Sequence, residues 1–274
     1  MTAPQNVHDR RIAMAPAGLV LAVLIATTTA SPAAAIHQGY DARIGSYRFM
    51  VSLRLADTPD SHRCGGTLIK PDFVLTAAHC VARVPEGGLV AVVGADIADW
   101  PRAPRISTLG HRVPETFDFR VDNRDDIAVV RLATRQETPG IRLAASEPRV
   151  GARVVTAGWG CTNAPPVCKV RAVSLQASDQ TVLRDASCGR DVFWTRPTYN
   201  ARTNICTRGT RSRSTINRGD SGGPLLVRDR RGGFRQVGVT ALGSDSTTKL
   251  YAGFTSIPVE RKWIAAAMGS LRTS

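Results

Sequence analysis

The sequence predicts an all-β fold of two packed β-barrels, closed by one helix at the C-terminal end. From residue 47 onward, short apolar runs alternate with turn residues, as in all-β barrels. These runs form two series, and the pattern lapses between them over residues 136–148. A clear helical pattern occurs only near the end of the chain. We therefore place the first barrel at about 36–140, the second at about 149–257 and the helix at about 258–271.

The predicted strands of the first series are Phe49–Leu55, Gly66–Ile69, Phe73–Thr76, Leu89–Val93 and Ile127–Leu132. The second series includes Arg153–Ala157, Val170–Gln176, Pro224–Val227, Gln236–Leu242 and Leu250–Phe254. The closing helix begins with Pro258, a residue favoured in the first turn. It carries Trp263, Ile264, Ala267 and Leu271 at helical spacing. Packing against the barrels explains this apolar stripe better than a binding role.

Length and composition indicate a globular protein with a basic surface. At 274 residues and 43% hydrophobic content, the chain suffices for one large or two small domains. The 36 lysines and arginines exceed the 22 aspartates and glutamates, and the formal charge of +14 favours acidic partners or surfaces. Nucleic-acid binding is the alternative, but the arginines are scattered, aromatic residues make up only 5%, and no nucleic-acid motif is recognisable. We therefore expect no nucleic-acid partner.

Residues 1–35 are typical of a secretory signal peptide. Two arginines precede an apolar run over 19–25, and small residues lead up to Ala35. A membrane anchor is the alternative, but Pro16 and the threonines at 27–29 keep the run short of the about 20 residues that a span needs. We expect the segment to be removed, and the mature chain to be secreted, extracellular and free of the membrane.

The segment Gly219–Leu225 (GDSGGPL) holds a serine in a glycine-rich turn. Glycines permit backbone conformations that other residues resist and let the backbone come close to a ligand. The N–H groups of Gly219 and Ser221 can then point into one space and hold a developing oxyanion. For a bare Gly-x-Ser-x-Gly pattern, a tight turn with an incidental serine is the alternative.

A serine hydroxyl becomes a nucleophile when a base takes its proton, so it needs a histidine and a residue that orients that histidine. All 5 histidines precede Ser221, which excludes the Ser-Asp-His order of α/β-hydrolases. His79 lies in Thr76–Cys80 (TAAHC), and Asp126 begins Asp126–Leu132 (DIAVVRL). The order is therefore His, Asp, Ser. Taken singly, a histidine beside a cysteine and an aspartate before an apolar run have ordinary structural explanations.

These three segments, together with Gly158–Gly160 (GWG), resemble the signature segments of the chymotrypsin/trypsin family of serine peptidases. The resemblance covers nearly the whole chain from Ile36 onward and implies two packed six-stranded antiparallel β-barrels. It implies that Ser221 is the nucleophile, His79 the general base and then acid, and Asp126 the orienting carboxylate. It also implies that the N–H groups of Gly219 and Ser221 form the oxyanion hole.

By this resemblance the chain is a serine endopeptidase that hydrolyses peptide bonds through an acyl-enzyme. We expect a secreted member of bacterial type that acts on protein or peptide substrates as a monomer, without a cofactor or metal. A relative that binds without cutting is the alternative. Such relatives usually lose a member of the triad, whereas all three residues are present here.

The segment Ile36–Tyr40 aligns with the mature N-terminus of the family, where a new amine pairs with the aspartate before the nucleophile. That partner is Asp220 here, and the pair would switch on the oxyanion hole, since a buried carboxylate without a cation is costly. His-Gln at 37–38 replaces the usual Val-Gly, and Ala35 rather than a basic residue precedes the cut. Because the small residues ending at Ala35 fit a signal-peptidase site, we expect export alone to free Ile36, with no stable zymogen.

The 6 cysteines of an exported chain suggest three disulfides, and their number alone leaves several connectivities open. The resemblance implies that Cys64 pairs with Cys80 and Cys188 with Cys206, which leaves Cys161 for Cys168. A zinc site is the rival interpretation. It is disfavoured because the chain has neither a Cys-x-x-Cys motif nor paired histidines.

The resemblance places the pocket for the substrate residue before the scissile bond (P1) between Thr215, Ile216, Gly243 and Ala252. Trypsin-like enzymes have an aspartate where this chain has Thr215, so we expect no charged grip on Arg or Lys. The expected P1 residue is neutral, small to medium in size and apolar.

The chain departs from the family beside this pocket. Asn217 stands where many members have a bracing cysteine, which predicts softer walls. Ala241 and Leu242 stand where the family commonly has Ser-Trp, so a hydroxyl that would hydrogen-bond to Asp126 is missing.

Overall fold

The computed structural model describes residues 1–2, 36–118, 124–163, 168–189, 199–210, 214–243 and 250–273. The predicted signal peptide, apart from its first two residues, lies outside this part of the chain. All described helices and strands fall within residues 40–273.

The first barrel is a closed antiparallel sheet of six strands. They are β2 (Met50–Leu55), β3 (Cys64–Lys70), β4 (Phe73–Thr76), β5 (Leu89–Val93), β6 (Ile106–Arg112) and β7 (Ala128–Leu132), in the order β2-β3-β4-β7-β6-β5. Buried and exposed residues alternate along the first half of β6, whereas β3 and β4 are buried almost throughout. The difference arises because β3 and β4 also contact strands of the second barrel.

The second barrel also closes with six antiparallel strands. They are β9 (Arg153–Gly158), β10 (Gln176–Val182), β11 (Asn204–Gly209), β12 (Pro224–Arg228), β13 (Phe234–Gly243) and β14 (Tyr251–Ser256). They follow the order β10-β11-β14-β13-β12-β9, and β9 pairs back with β10. Two short strands extend this sheet: β1 (Tyr40–Asp41) pairs with β10, and β8 (Arg142–Leu143), from the connection between the barrels, pairs with β13.

The helices are few, as the sequence predicts. Besides 3₁₀ turns at Ile44–Ser46 and Ile97–Asp99, they are α1 (Ala78–Val81), α2 (Asp185–Cys188) and α3 (Ile257–Thr273). Helix α3 buries three residues of its predicted stripe, Ile264, Ala267 and Leu271, to at most 5% exposure, whereas Trp263 is partly buried against the same core. None of the described helices is both long and apolar enough to cross a membrane.

The two barrels and α3 share one hydrophobic cluster, which includes Phe73 from the first barrel, Leu226 from the second and Ile264 from the helix. Hydrogen bonds also cross between the barrels. The buried hydroxyl of Thr67 on β3 donates to Oε1 of Gln236 on β13 over 2.6 Å. The barrels therefore form a single packed body around a common interface.

The prediction of a strand at Val170–Gln176 is wrong, because the strand β10 begins only at Gln176. Two of the apolar side chains that suggested it are exposed, Val170 by 48% and Val173 by 60%, whereas Ala172 and Leu175 are buried. The residues of β10 are largely polar, yet they are buried because they hydrogen-bond to one another. Nε2 of Gln180, for example, lies 2.8 Å from the hydroxyl of Ser178.

Candidate active site

His79 lies on the short helix α1 at the end of β4, in a segment fastened by the disulfide Cys64–Cys80. Two hydrogen bonds join it to Asp126. Its backbone N–H donates to Oδ1 over 2.9 Å, and its ring Nδ1 donates to Oδ2 over 2.6 Å. Because Nδ1 donates to a carboxylate, Nε2 is the nitrogen left to accept a proton.

The electrostatics of this pair favour a basic imidazole. Burial by itself would lower the pKa of His79, but the charge and the hydrogen bond of Asp126 outweigh burial and raise it above the ordinary value. The side chain of His79 is 21% exposed, whereas that of Asp126 is completely buried. The histidine can therefore reach a ligand, and the aspartate can only act through it.

Asp126 is held by contacts from both barrels. The preceding residue, Asp125, has a φ of 54°, which turns the chain sharply before β7. The hydroxyl of Thr255 on β14 donates to the backbone oxygen of Asp126 over 2.9 Å. Within the described part of the chain, the carboxylate of Asp126 accepts hydrogen bonds from His79 alone, in agreement with an alanine at position 241.

Ser221 lies in the loop that precedes β12. The flanking glycines Gly219 and Gly222 have φ values of 98° and 79°, in the left-handed region that glycine tolerates best. The loop is anchored on both sides, because the carbonyl of Ser221 accepts the N–H of Gly65 over 2.8 Å and the N–H of Gly222 donates to Thr240 over 2.9 Å. A β-carbon at Gly222 would collide with Thr76 and Gly65 of the first barrel.

One groove of about 440 Å³ brings the predicted residues together. His79, Gly219 and Ser221 all line it, and Asp126 lies directly behind His79. The structure thus places His79, Gly219 and Ser221 around a common space, and the carboxylate of Asp126 in contact with the imidazole of His79.

His62 also belongs to this region, and sequence reasoning did not assign it a role. It is 4% exposed, and its Nδ1 lies 2.8 Å from the hydroxyl of Ser52 while its Nε2 lies 2.8 Å from the carbonyl oxygen of Gly219. Burial lowers the pKa of His62 to about 4, with the charges of Arg171 and Arg54 acting in the same direction. The ring is therefore neutral, with Nε2–H donating to Gly219 and Nδ1 accepting from Ser52.

The pair Ser52–His62 is not a second nucleophile and base, because Ser52 is completely buried. The pair instead fixes Gly219, two residues before the predicted nucleophile Ser221. The one signal that pointed to His62 is its position two residues before Cys64, whose disulfide partner follows His79.

Asp220 is completely buried beside the GWG segment. Its carboxylate accepts the N–H groups of Gly160 and Asn217, each over 2.8 Å. Burial raises the pKa of Asp220 to about 7, although the two backbone hydrogen bonds and the charge of Arg171 oppose the rise. Ile36 is also completely buried, and the next residue, His37, accepts the N–H of Thr215 over 3.1 Å.

The predicted P1 walls are buried and uncharged. Thr215 and Ile216 are each 1% exposed, Ala252 is completely buried, and Gly243 ends β13. Residues 244–249, which follow Gly243, lie outside the described part.

Asn217 replaces the missing brace with hydrogen bonds. Its Nδ2 donates to the backbone of Asn163 over 2.7 Å, and its Oδ1 accepts the N–H of Arg218 over 2.8 Å. Because Asn217 also donates its backbone N–H to Asp220, it ties the predicted pocket wall at Thr215 and Ile216 to the loop that contains Ser221.

The three disulfides join Cys64 to Cys80, Cys161 to Cys168 and Cys188 to Cys206, the pairs that the resemblance implies. Among the described residues, Cys64, His79 and Cys80 place potential metal ligands within 4.8 Å of one another. The two sulfurs are bonded to each other, however, and a metal takes thiolates.

Comparison with known proteins agrees with this geometry. The family model described as Trypsin matches residues 36–264. Trypsin iota from Drosophila melanogaster is 26% identical, over 92% of this chain and 96% of that protein. Chymotrypsin-C from Bos taurus is 31% identical, over 82% of this chain and 86% of that protein.

Among solved structures, neuropsin, a serine protease expressed in the limbic system of mouse brain, matches with a TM-score of 0.70 at 21% identity. The match covers 85% of this chain and 100% of that one, and it supports the fold. All these relatives come from animals, so they lend no support to the bacterial type that we expected. The family acts on protein or peptide substrates. The chain belongs to the trypsin family and is a serine-type endopeptidase.

Proposed function

We propose that the processed chain is a secreted endopeptidase that uses Ser221 as nucleophile, His79 as general base and acid, and Asp126 to orient His79. The observation that carries this proposal is the 2.6 Å hydrogen bond from Nδ1 of His79 to the buried Asp126, in a groove that Ser221 also lines. The bond leaves Nε2 of His79 as the proton acceptor.

The reaction follows from these roles. Oγ of Ser221 attacks the substrate carbonyl carbon while its proton passes to Nε2 of His79, and the N–H groups of Gly219 and Ser221 stabilise the resulting oxyanion. The tetrahedral intermediate then expels the amine, which takes the proton from His79. A water molecule attacks the acyl-enzyme in the same way, and release of the acid restores Ser221.

The preference for a neutral, small-to-medium apolar P1 residue is part of this proposal. It is supported by the uncharged, buried positions of Thr215, Ile216 and Ala252. Cleavage of a mixed peptide library by the processed chain tests it. Faster cleavage after Arg than after Leu, Val or Ala would contradict it.

Processing before Ile36 is the third part of the proposal, with export as the step that frees it and a monomer as the working form. The burial of Ile36 and the elevated pKa of the buried Asp220 support an electrostatic partnership between the new amine and this carboxylate. N-terminal sequencing of the secreted protein tests the cleavage position, and gel filtration tests the monomer. A start at another residue would overturn the activation step.

A fluorophosphonate probe tests the central assignment. We expect the processed protein to be labelled at Ser221 and the label to be lost in Ser221→Ala. Ser61→Ala is the matched control, because Ser61 lines the same groove, and this variant should retain the label. A folded, processed protein that takes no label would instead favour the relative that binds without cutting.

A further inference from the structure

The groove that contains His79 and Ser221 is strongly basic. Three arginines from separate segments line it: Arg63 before β3, Arg171 after the Cys161–Cys168 disulfide, and Arg218 directly before Gly219. All three are exposed, and the described residues that line this groove include no aspartate or glutamate. A substrate in the groove therefore meets three positive charges and no carboxylate among the described lining residues.

Two of these arginines are held in place by the backbone. Nε of Arg63 donates to the carbonyl of Cys80 over 2.9 Å, and a guanidinium nitrogen of Arg171 donates to the carbonyl of His62. Each guanidinium has five N–H donors, so donors remain for a ligand. In the described ranges, Arg63, Arg171 and Arg218 make no ion pair with a carboxylate, whereas Arg105 and Arg112 each make one.

The charges of these arginines act within the site. Burial and the charge of Arg63 both act to lower the pKa of His79, although Asp126 raises it overall. Burial lowers the pKa of His62, and the charge of Arg171 contributes to the same shift.

The position of the groove indicates which half of the substrate it takes. None of the proposed P1 walls lines it, and its boundary is formed instead by the segment around Ser61–Cys64, Cys80 and Arg171. The acyl half of a substrate occupies the P1 pocket, whereas the amine half leaves past His79, which protonates it. The groove therefore lies on the leaving-group side of Ser221.

We propose that this groove selects substrates that carry Asp or Glu within the first three residues after the scissile bond. Three extended residues span about 10 Å. Guanidinium groups bind carboxylates through paired N–H donors, and clustered arginines act together on one carboxylate. This inference rests on the proposed function and names the substrate class of the same site.

Internally quenched peptides with one fixed acyl half test the proposal. One series places Asp, Asn or Lys at each of the three positions after the scissile bond, and a mirrored series places them on the acyl side. For the best position, we expect kcat/KM for Asp to exceed that for Asn by about 10-fold at low salt, and the ratio to fall at high salt. Equal ratios on both sides would show attraction by the net charge alone and overturn the proposal.

Charge reversal locates the effect. Arg218→Glu should abolish or invert the Asp-to-Asn ratio, because it replaces a positive charge in the groove with a negative one. The change should leave the fold intact, because the Arg218 side chain makes no hydrogen bond to a described residue. Arg230→Glu is the matched control: it makes the same charge change at an exposed residue outside the groove and should keep the ratio. A ratio that responds equally to both variants would refute the role of the groove.

A binding measurement separates this proposal from the proposed function. Labelled peptides that correspond only to the leaving-group half are titrated onto processed Ser221→Ala, with Asp or Asn in the first three positions. Tighter binding of the Asp peptide, lost in the double variant with Arg218→Glu, supports the basic groove even without cleavage. If the wild-type protein cleaves the internally quenched Asn peptides and the Asp and Asn half peptides bind equally well, the result supports the endopeptidase and refutes the acidic preference.

Discussion

Nε2 of His62 lies 2.8 Å from the carbonyl oxygen of Gly219, and this buried hydrogen bond spans 157 residues of sequence. It joins the approach to β3 in the first barrel to the residue whose N–H is proposed to hold the oxyanion. Both ring nitrogens of His62 are engaged by Ser52 and Gly219, so we regard His62 as a positioning residue.

Replacement of His62 by Ala should lower kcat more than it raises KM, because the carbonyl of Gly219 loses its donor and the adjoining N–H loses its fixed direction. Loss of one oxyanion donor costs about 10²–10³-fold in rate, which sets the upper limit of the effect. Steady-state kinetics on one good peptide measure it. His62→Gln, whose amide N–H can donate to Gly219, should recover part of kcat, and an equal loss in both variants would contradict the positioning role.

Substitution of Gly222 by Ala should reduce both activity and stability, because the new β-carbon would collide with Thr76 and Gly65. Gly232→Ala is the matched control, since Gly232 has the same φ of 79° and no atom within 4 Å of the added carbon. The control should lose about 1–2 kcal/mol of stability from the left-handed backbone alone, and Gly222→Ala about 1–3 kcal/mol more from the collision. Displacement of Ser221 should reduce kcat/KM by about 100-fold. Equal thermal unfolding and equal activity of the two variants would refute this account.

Activity should fall on acidification through a pKa above 6.5, because the proposed base, His79, must be neutral to accept a proton and Asp126 raises its pKa. Asp126→Asn removes the charge that raises the pKa, so the acid limb of kcat/KM should move to lower pH. The rate at neutral pH should also drop by about 10⁴-fold, because the imidazole loses its oriented tautomer. The pH profiles of both proteins measure these effects. Asp229→Asn, in an exposed turn of the second barrel, should leave the limb in place, and an unmoved limb in Asp126→Asn would assign it to another group.

The carboxylate of Asp220 should make the unprocessed chain lose stability as pH rises from about 4 to about 7. Its folded-state pKa of about 7 lies above the ordinary aspartate value of 3.8, so its contribution to stability is complete below pH 3.8 and is lost as pH rises through 7. Asp220→Asn in the unprocessed chain should therefore gain stability relative to wild type between pH 4 and 7, by at most about 1.4 kcal/mol per pH unit.

The same comparison in the chain that starts at Ile36 should lose this trend, because a free amine beside the carboxylate stabilises its charged form. Urea unfolding at several pH values supplies both measurements. A trend that is identical in the two chains would mean that the new amine does not reach Asp220.

The sequence predicted the strands of the first barrel well, because Phe73–Thr76 and Leu89–Val93 are short apolar runs with turns at both ends. It missed β6, and it misplaced β10 because the polar residues of β10 satisfy one another inside the barrel. A hydrophobicity pattern in the sequence indicates a buried strand only when the buried side chains are apolar.

The residues of the site also fall into two groups, those that the sequence could predict and those that it could not. Ser221, His79 and Asp126 could be proposed because each lies in a distinctive segment. The roles of His62 and Asn217 could not, because a single histidine or asparagine has no pattern. Their partners, Gly219 and Asn163, lie 157 and 54 residues away in sequence.

The hydrogen bond from Gly65 to the carbonyl of Ser221 has a consequence for the cell that makes this enzyme. The first barrel holds the loop of Ser221 through this hydrogen bond, and the strands that follow Ser221 are synthesised last. We therefore expect a chain that ends before β13 and β14 to lack peptidase activity, because the loop of Ser221 packs between the first barrel and these later strands.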